Sequence, residues 1–172
     1  MHNVLLNNLK KIHSDFRIKI FHFAFLITIF YLDFRTILFH LPFLLNGGEF
    51  LGKRFGFSDR QDFISIGNFL HEPNYDAVLY LKQKIWPLIR KQLPKAKLKI
   101  FGAYPSQKVT QLHNHKDGFL VLGRADNALE ELNKCRVNLA PLRFGAGLKT
   151  KLLEGMLTGT PSVTTKIGVE GF

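Results

Sequence analysis

From Gln61 onward the apolar and polar positions follow two alternating rhythms. "DFISIGN" is a compact apolar run ending at Gly67, which predicts a short buried strand. Between Pro73 and Gln92 the apolar residues fall at Ala77, Val78, Leu81, Ile85, Leu88 and Ile89, the spacing of one helix face. The sequence then repeats the alternation. "KLKIFG" (97–102) predicts a second strand, and Ser106 to His113 a short helix. "GFLVLG" (118–123) predicts a third strand, followed by a helix that runs from Asp126, its cap, to Lys134. "RVNLAPL" (136–142) and "PSVTT" (161–165) predict two more strands. The helix between them places Leu148, Leu152, Leu153, Met156 and Leu157 on one face and is stopped by Gly159 and Pro161. Short apolar strands alternating with amphipathic helices require right-handed crossovers, so the expected fold is α/β, a parallel sheet with helices on both faces.

Before Gln61 the texture differs. Residues 20–45, "IFHFAFLITIFYLDFRTILFHLPFLL", are crowded with Phe, Leu and Ile, but Asp33 and Arg35 divide them. The undivided runs are shorter than the ~20 residues a spanning helix needs. A cleaved signal peptide fits poorly, because the apolar run starts late and no small-residue cleavage site follows it. Three readings stand: membrane-surface association, burial against a partner, or a relic segment whose original fold is gone. The expected organisation is a hydrophobic amino-terminal segment and linker over residues 1–57, then the α/β domain over residues 58–172.

Composition narrows the partners. The 24 lysines and arginines against 13 acidic residues give a formal charge of +11, which favours anionic ligands without choosing among them. The excess is spread along the chain, and no basic block interleaved with aromatics marks a nucleic-acid surface. The single cysteine, Cys135, cannot form an internal disulfide and reads as an ordinary thiol packed at a lysine-flanked helix end, as expected of a cytoplasmic protein. His113 and His115 stand two apart with no third ligand evident, which favours solvated surface over a metal site.

The candidate chemistry lies in "RFGAGLKTKLLEGMLTGTPSV", residues 143–163. In a parallel sheet, ligands bind beyond the carboxyl ends of the strands, and Arg143 to Gly147 form the loop at such an end. Glycines there let backbone N–H groups approach a ligand, and the helix that follows offers unpaired donors with positive partial charge, a combination suited to phosphate. Lys149 and Lys151 add full charges. Glu154, about one turn further in, could accept hydrogen bonds from sugar hydroxyls. The motif lacks the third glycine of G-x-G-x-x-G and is not a Walker A loop. Taken alone it equally suits a glycine loop selected for tight packing, with solvated lysines and a surface glutamate.

The run from Asp62 to Phe172 resembles the carboxyl-terminal, nucleotide-sugar-binding domain of GT-B glycosyltransferases, most like glycosyltransferase family 4 (glycosyl transferases group 1). Three blocks in the same order carry the resemblance: "DFISIGNFLHEPNYDAV", "IWPLIRKQLPKAKLKIFG" and "APLRFGAGLKTKLLEGMLTGTPSVTTKIGVEG". It implies a Rossmann-like sheet forming one half of a GT-B fold, with a nucleoside-diphosphate sugar as donor substrate and neither cofactor nor metal. By the same resemblance Gly67, Asn68 and Phe69 face the diphosphate and transferred sugar, with His71 a further contact or simply the polar lead-in to the next helix. Gly123 and Arg124 border the base, Glu154 binds the ribose hydroxyls, and Gly145, Ala146, Gly147 and Leu148 offer backbone donors to phosphate. Lys149 or Lys151 carries diphosphate charge. Ala146 stands where many members have a first glutamate, so any sugar contact made there is missing.

The family's second, acceptor-holding domain has no counterpart, since the residues before Gln61 are too few for it. The chain also stops at "GVEGF", where relatives continue. The resulting expectation is a truncated donor domain of a retaining glycosyltransferase, a fragment or split subunit, inactive as an isolated chain. Its expected partners are a nucleoside-diphosphate sugar, a separate acceptor-binding domain or chain, and a membrane surface contacted peripherally. The alternative is a non-catalytic nucleotide-binding or membrane-associated remnant.

Overall fold

A computed structural model of the protein describes residues 53–172, so the apolar stretch 20–45 and its three readings lie outside the described residues. Five strands form one sheet: β1 (Gln61–Ile66), β2 (Leu98–Phe101), β3 (Phe119–Gly123), β4 (Cys135–Ala140) and β5 (Ser162–Thr164). Their spatial order is β3-β2-β1-β4-β5, and every ladder is parallel. The central strands are buried on both faces, as a parallel sheet covered by helices demands: Phe63, Ile64 and Ser65 of β1 and Val137 to Ala140 of β4 are all shielded from water. The Rossmann-like α/β class expected from the alternation is therefore the observed fold.

The helices are α1 (Glu72–Tyr80), α2 (Trp86–Gln92), α3 (Gln107–Thr110), α4 (Ala128–Lys134), α5 (Thr150–Thr158) and α6 (Lys166–Val169). α4 packs on α5, and α1 packs on α3. Right-handed crossovers put the first pair and the second on opposite faces, because the chain winds outward from β1 to β3 and then returns to the other side of β1 as β4. The reversal puts the topological switch point at the carboxyl ends of β1 and β4, where sheets of this kind receive ligands.

Local geometry corrects the expected elements in several places. The stretch Pro73–Gln92 is one helical rod interrupted by a π-helical turn, Leu81–Ile85, in which the Trp86 N–H reaches back to the Leu81 carbonyl. Pro87, in the first turn of α2, has no N–H to give and crowds the preceding turn, and the widened turn absorbs it. Only Gln107–Thr110 of the expected Ser106–His113 helix is helical. Asn127, not Asp126, caps α4: its amide oxygen accepts from the N–H groups of Leu129 at 3.1 Å and Glu130 at 3.2 Å, which the residue one step earlier does not do.

One more correction concerns packing. Cys135 ends α4 as its C-cap residue and at the same time opens β4, and it is wholly buried against Ile64, Phe101 and Leu132. On α5 the buried side is Leu152, Gly155 and Thr158, whereas Leu148 precedes the helix and is exposed. Gly155 explains the shift of face. A Cβ at that position would lie 2.7 Å from Ser162 Oγ and 3.2 Å from the Thr160 carbonyl, so the helix approaches β5 more closely than a side chain permits. No helix among the described residues is long and apolar enough to cross a membrane.

Candidate functional site

The loop leaving β1 is held by its own backbone. Gly67 N–H donates to the Phe101 carbonyl (3.1 Å) and Phe69 N–H to the Ala103 carbonyl (3.0 Å), so the loop continues along the end of β2. The approach is close. A Cβ on Gly102 would sit 2.3 Å from both the Gly67 carbonyl oxygen and Phe69 Cε2, so only glycine lets the loop and the Phe69 ring lie there. Asn68 then turns the chain: its side-chain oxygen accepts from Leu70 N–H at 2.9 Å, and its carbonyl accepts from His71 N–H at 3.2 Å. His71 occupies the N-cap position of α1, is exposed, and makes no side-chain capping bond.

The loop leaving β4 begins with buried Pro141 and Leu142 and is exposed from Arg143 to Leu148. Gly145 and Gly147 take φ values of 123° and 75°, in the region that favours glycine. Gly145 rides over Pro73, whose Cγ would stand 3.4 Å from an added Cβ. Lys149 is the N-cap residue of α5, and its ammonium donates to the Gly147 carbonyl. Lys151 turns inward and donates to Asn74 Oδ1 at 2.5 Å. Burial lowers its pKa to about 8, with Glu154 opposing the shift and Lys149 adding to it. Glu154 is half-buried, and burial raises its carboxyl above the ordinary range, with Lys151 opposing. Both shifts report a corner partly stripped of water, where a charge interacts strongly with an incoming ligand.

α1 joins the two loops. Asn74 accepts from Lys151 and donates through Nδ2 to the Asn68 carbonyl at 2.7 Å. Asp76 receives the Arg143 guanidinium through both carboxylate oxygens, the Nε bond measuring 2.9 Å, and the guanidinium carbon stands 5.1 Å from the Tyr80 ring centroid. Beneath α5, wholly buried Asn138 donates to the Lys151 carbonyl (3.2 Å) and to Ser162 Oγ (3.0 Å), fixing the start of the helix to β4 and β5.

Gly67, Asn68, Phe69 and His71 thus share one edge with Gly145, Ala146, Gly147, Leu148, Lys149 and Lys151, with Glu154 half-buried on α5. Gly123 and the exposed Arg124 lie at the end of β3, two strands from β1, and Gly102 N–H reaches the Gly123 carbonyl at 2.7 Å. Asn74, Asp76, Gly102 and Asn138 escaped the sequence reading. The close spacing of Asn74 and Asp76 on the opening turns of one helix was the only local signal for that pair. His113 and His115 have exposed rings at 4.9 Å, with His113 Nδ1 accepting from Val121 N–H at 3.2 Å. No group of three or more His, Cys, Asp or Glu side chains suited to a metal ion occurs among the described residues.

Two glycine-bearing loops, a helix start and two lysines meeting at the switch point make an edge suited to an extended anion. A sequence model of the family described as glycosyl transferases group 1 matches residues 60–171. The chain belongs to this family. The match opens one residue before β1 and closes beyond α6, so it takes in the whole sheet and both loops of this glycosyl transferase group 1 domain. A search of curated proteins found no match to the chain.

Proposed function

We propose that the edge between β1 and β4 binds a nucleoside-diphosphate sugar, and that residues 58–172 act as the donor-binding half of a retaining glycosyltransferase of the GT-B, family 4 kind. The observation that carries this reading is the convergence of the α5 start, Lys149 and Lys151 with the Gly67–Asn68 loop through Asn74. In this reading the backbone N–H groups from Gly145 to Lys149 and the two lysines hold the diphosphate. The same groups stabilise the negative charge that grows on the diphosphate as the sugar departs. Glu154 accepts the ribose hydroxyls, Phe69 and His71 face the diphosphate and sugar, and Gly123 and Arg124 border the base.

Glycosyl transfer also needs an acceptor held against the donor with water excluded. A surface outside residues 53–172, in a separate domain or chain, fills that role in this reading, and peripheral membrane contact falls to residues 20–45. Ala146 favours a second reading, non-catalytic nucleotide binding, because it brings no carboxylate to the sugar side of the loop. Calorimetric titration of the full chain with UDP-, GDP- and ADP-glucose tests the donor site. Saturable binding of one base class is expected. A folded chain that binds none of them at millimolar concentration overturns the proposal.

A further inference from the structure

We propose that Asn74 is a positioning residue that sets the Lys151 ammonium between the two ligand-edge loops, so that donor affinity depends on the Lys151–Asn74–Asn68 chain of hydrogen bonds. The inference deepens the donor-site reading above and rests on it. Asn74 meets three partners with different parts of one side chain. Its oxygen accepts from Lys151 Nζ at 2.5 Å, its nitrogen donates to the Asn68 carbonyl at 2.7 Å, and its Cγ would lie 2.7 Å from a Cβ on Gly67. A neutral amide carries its acceptor and its donors on separate atoms, so it can accept from an ammonium with one and donate to a carbonyl with the other. It also leaves the lysine's charge uncancelled, which a carboxylate there would not.

That neutrality has a chemical purpose at an anion site. An ammonium paired with a carboxylate offers a phosphate little net attraction, whereas one held by a neutral oxygen keeps its charge for the ligand. The charged groups acting on Lys151 are Glu154, on its own helix, and Lys149, from the loop. On α1, Asp76 is occupied by Arg143. Burial without a full counter-charge lowers the Lys151 pKa to about 8, and an arriving diphosphate supplies that counter-charge and raises it again. Binding is therefore coupled to proton uptake, and affinity falls as pH rises through the value for the free site.

The test uses the full chain and UDP-, GDP- and ADP-glucose, whose diphosphate diesters do not titrate between pH 6.5 and 9, followed by calorimetry across that range. For the tightest of the three, wild-type affinity is expected to decline with a midpoint near pH 8. Asn74→Asp is isosteric and places a carboxylate on Lys151. It is expected to weaken binding at pH 7 by about tenfold and to move the midpoint upward. Asn74→Leu removes the acceptor without opening room for water and is expected to move the midpoint downward. A purely structural role would weaken binding at every pH and leave the midpoint in place. The Asn74→Asp shift alone decides the matter should Asn74→Leu fail to fold. Equal midpoints in wild type and Asn74→Asp overturn the inference and leave the donor site standing, whereas a folded wild type that binds none of the three overturns both.

Discussion

Arg60 Nη2 donates to the Thr158 carbonyl at 2.7 Å, tying the residue before β1 to the last turn of α5. Arg60 is 3% exposed, and its guanidinium has other acceptors in Phe55 O at 3.0 Å, Asn133 Oδ1 at 3.3 Å and Thr160 Oγ1. Burial lowers its pKa, and the partial negative charge at the end of α5 offsets part of that cost. Arg60→Met fills much of the space but strands these oxygens, so a loss of about 3 kcal/mol in urea unfolding is expected. A loss below about 1 kcal/mol would show that water replaces the guanidinium freely.

Gly155→Ala tests the close approach of α5 to the sheet. Alanine is the better helix former by about 1 kcal/mol, yet its methyl would meet Ser162 Oγ at 2.7 Å and the Thr160 carbonyl at 3.2 Å. Overpacking wins that comparison, and a net loss of about 1–3 kcal/mol in chemical denaturation is expected. Gly147→Ala is the contrasting case: nothing lies near its Cβ, but a φ of 75° strains alanine by about 1 kcal/mol. A neutral Gly155→Ala would mean that α5 can lift off β5 without cost.

The buried thiol of Cys135 should be silent in the folded protein. Burial pushes its pKa from about 9 to about 11, so the thiolate, the reactive form, is scarce near neutrality and shielded as well. Iodoacetamide at pH 8 is expected to label the chain only after urea unfolding. The same shift costs stability on the alkaline side: the unfolded thiol ionises first, so stability present below pH 9 is lost progressively as pH rises toward 11. Rapid labelling of the native chain would contradict the packing around Ile64, Phe101 and Leu132.

The sheet was legible because its strands are short apolar runs, a signal contained in each segment. Phe63, Ile64, Leu98, Ile100 and Phe119 announce burial wherever they fall. The β4 loop was legible for a similar reason, since glycines followed by lysines and a leucine-spaced helix are local. What stayed hidden depends on distant partners. Asn74 gains its role from Lys151, Asp76 from Arg143, and Arg60 from Thr158, each pair far apart in sequence. The π-helical turn at Leu81–Ile85 was missed because a hydrophobic period does not register one extra residue per turn, although Pro87 was a visible warning. Asp126 and Asn127 are both good caps on propensity, and only the backbone geometry chooses between them.

Glu154 supplies the sharpest test of the donor reading, because it predicts selectivity and its pH dependence together. A carboxylate that accepts from two ribose hydroxyls should distinguish a ribonucleotide donor from its 2′-deoxy counterpart. Glu154→Gln keeps the shape and one acceptor oxygen but loses the charge, so that discrimination should shrink by about 1–3 kcal/mol, the value of hydrogen bonds to a charged acceptor. Acid should do the same to the wild type. Burial raises the Glu154 carboxyl above the ordinary range, so it is protonated at a pH where exposed carboxylates are still ionised. Ribose discrimination is therefore expected to fall on acidification before exposed carboxylates titrate, and in Glu154→Gln to stay flat over the same interval. Leu152→Ala gives the control from the buried side of α5. It should cost roughly 2–5 kcal/mol of stability and leave ribose discrimination unchanged while the protein is folded. Competition calorimetry with ribo- and 2′-deoxyribonucleoside diphosphates at several pH values reads all three. Discrimination unaffected by Glu154→Gln would move the ribose off α5 and remove Glu154 from the site.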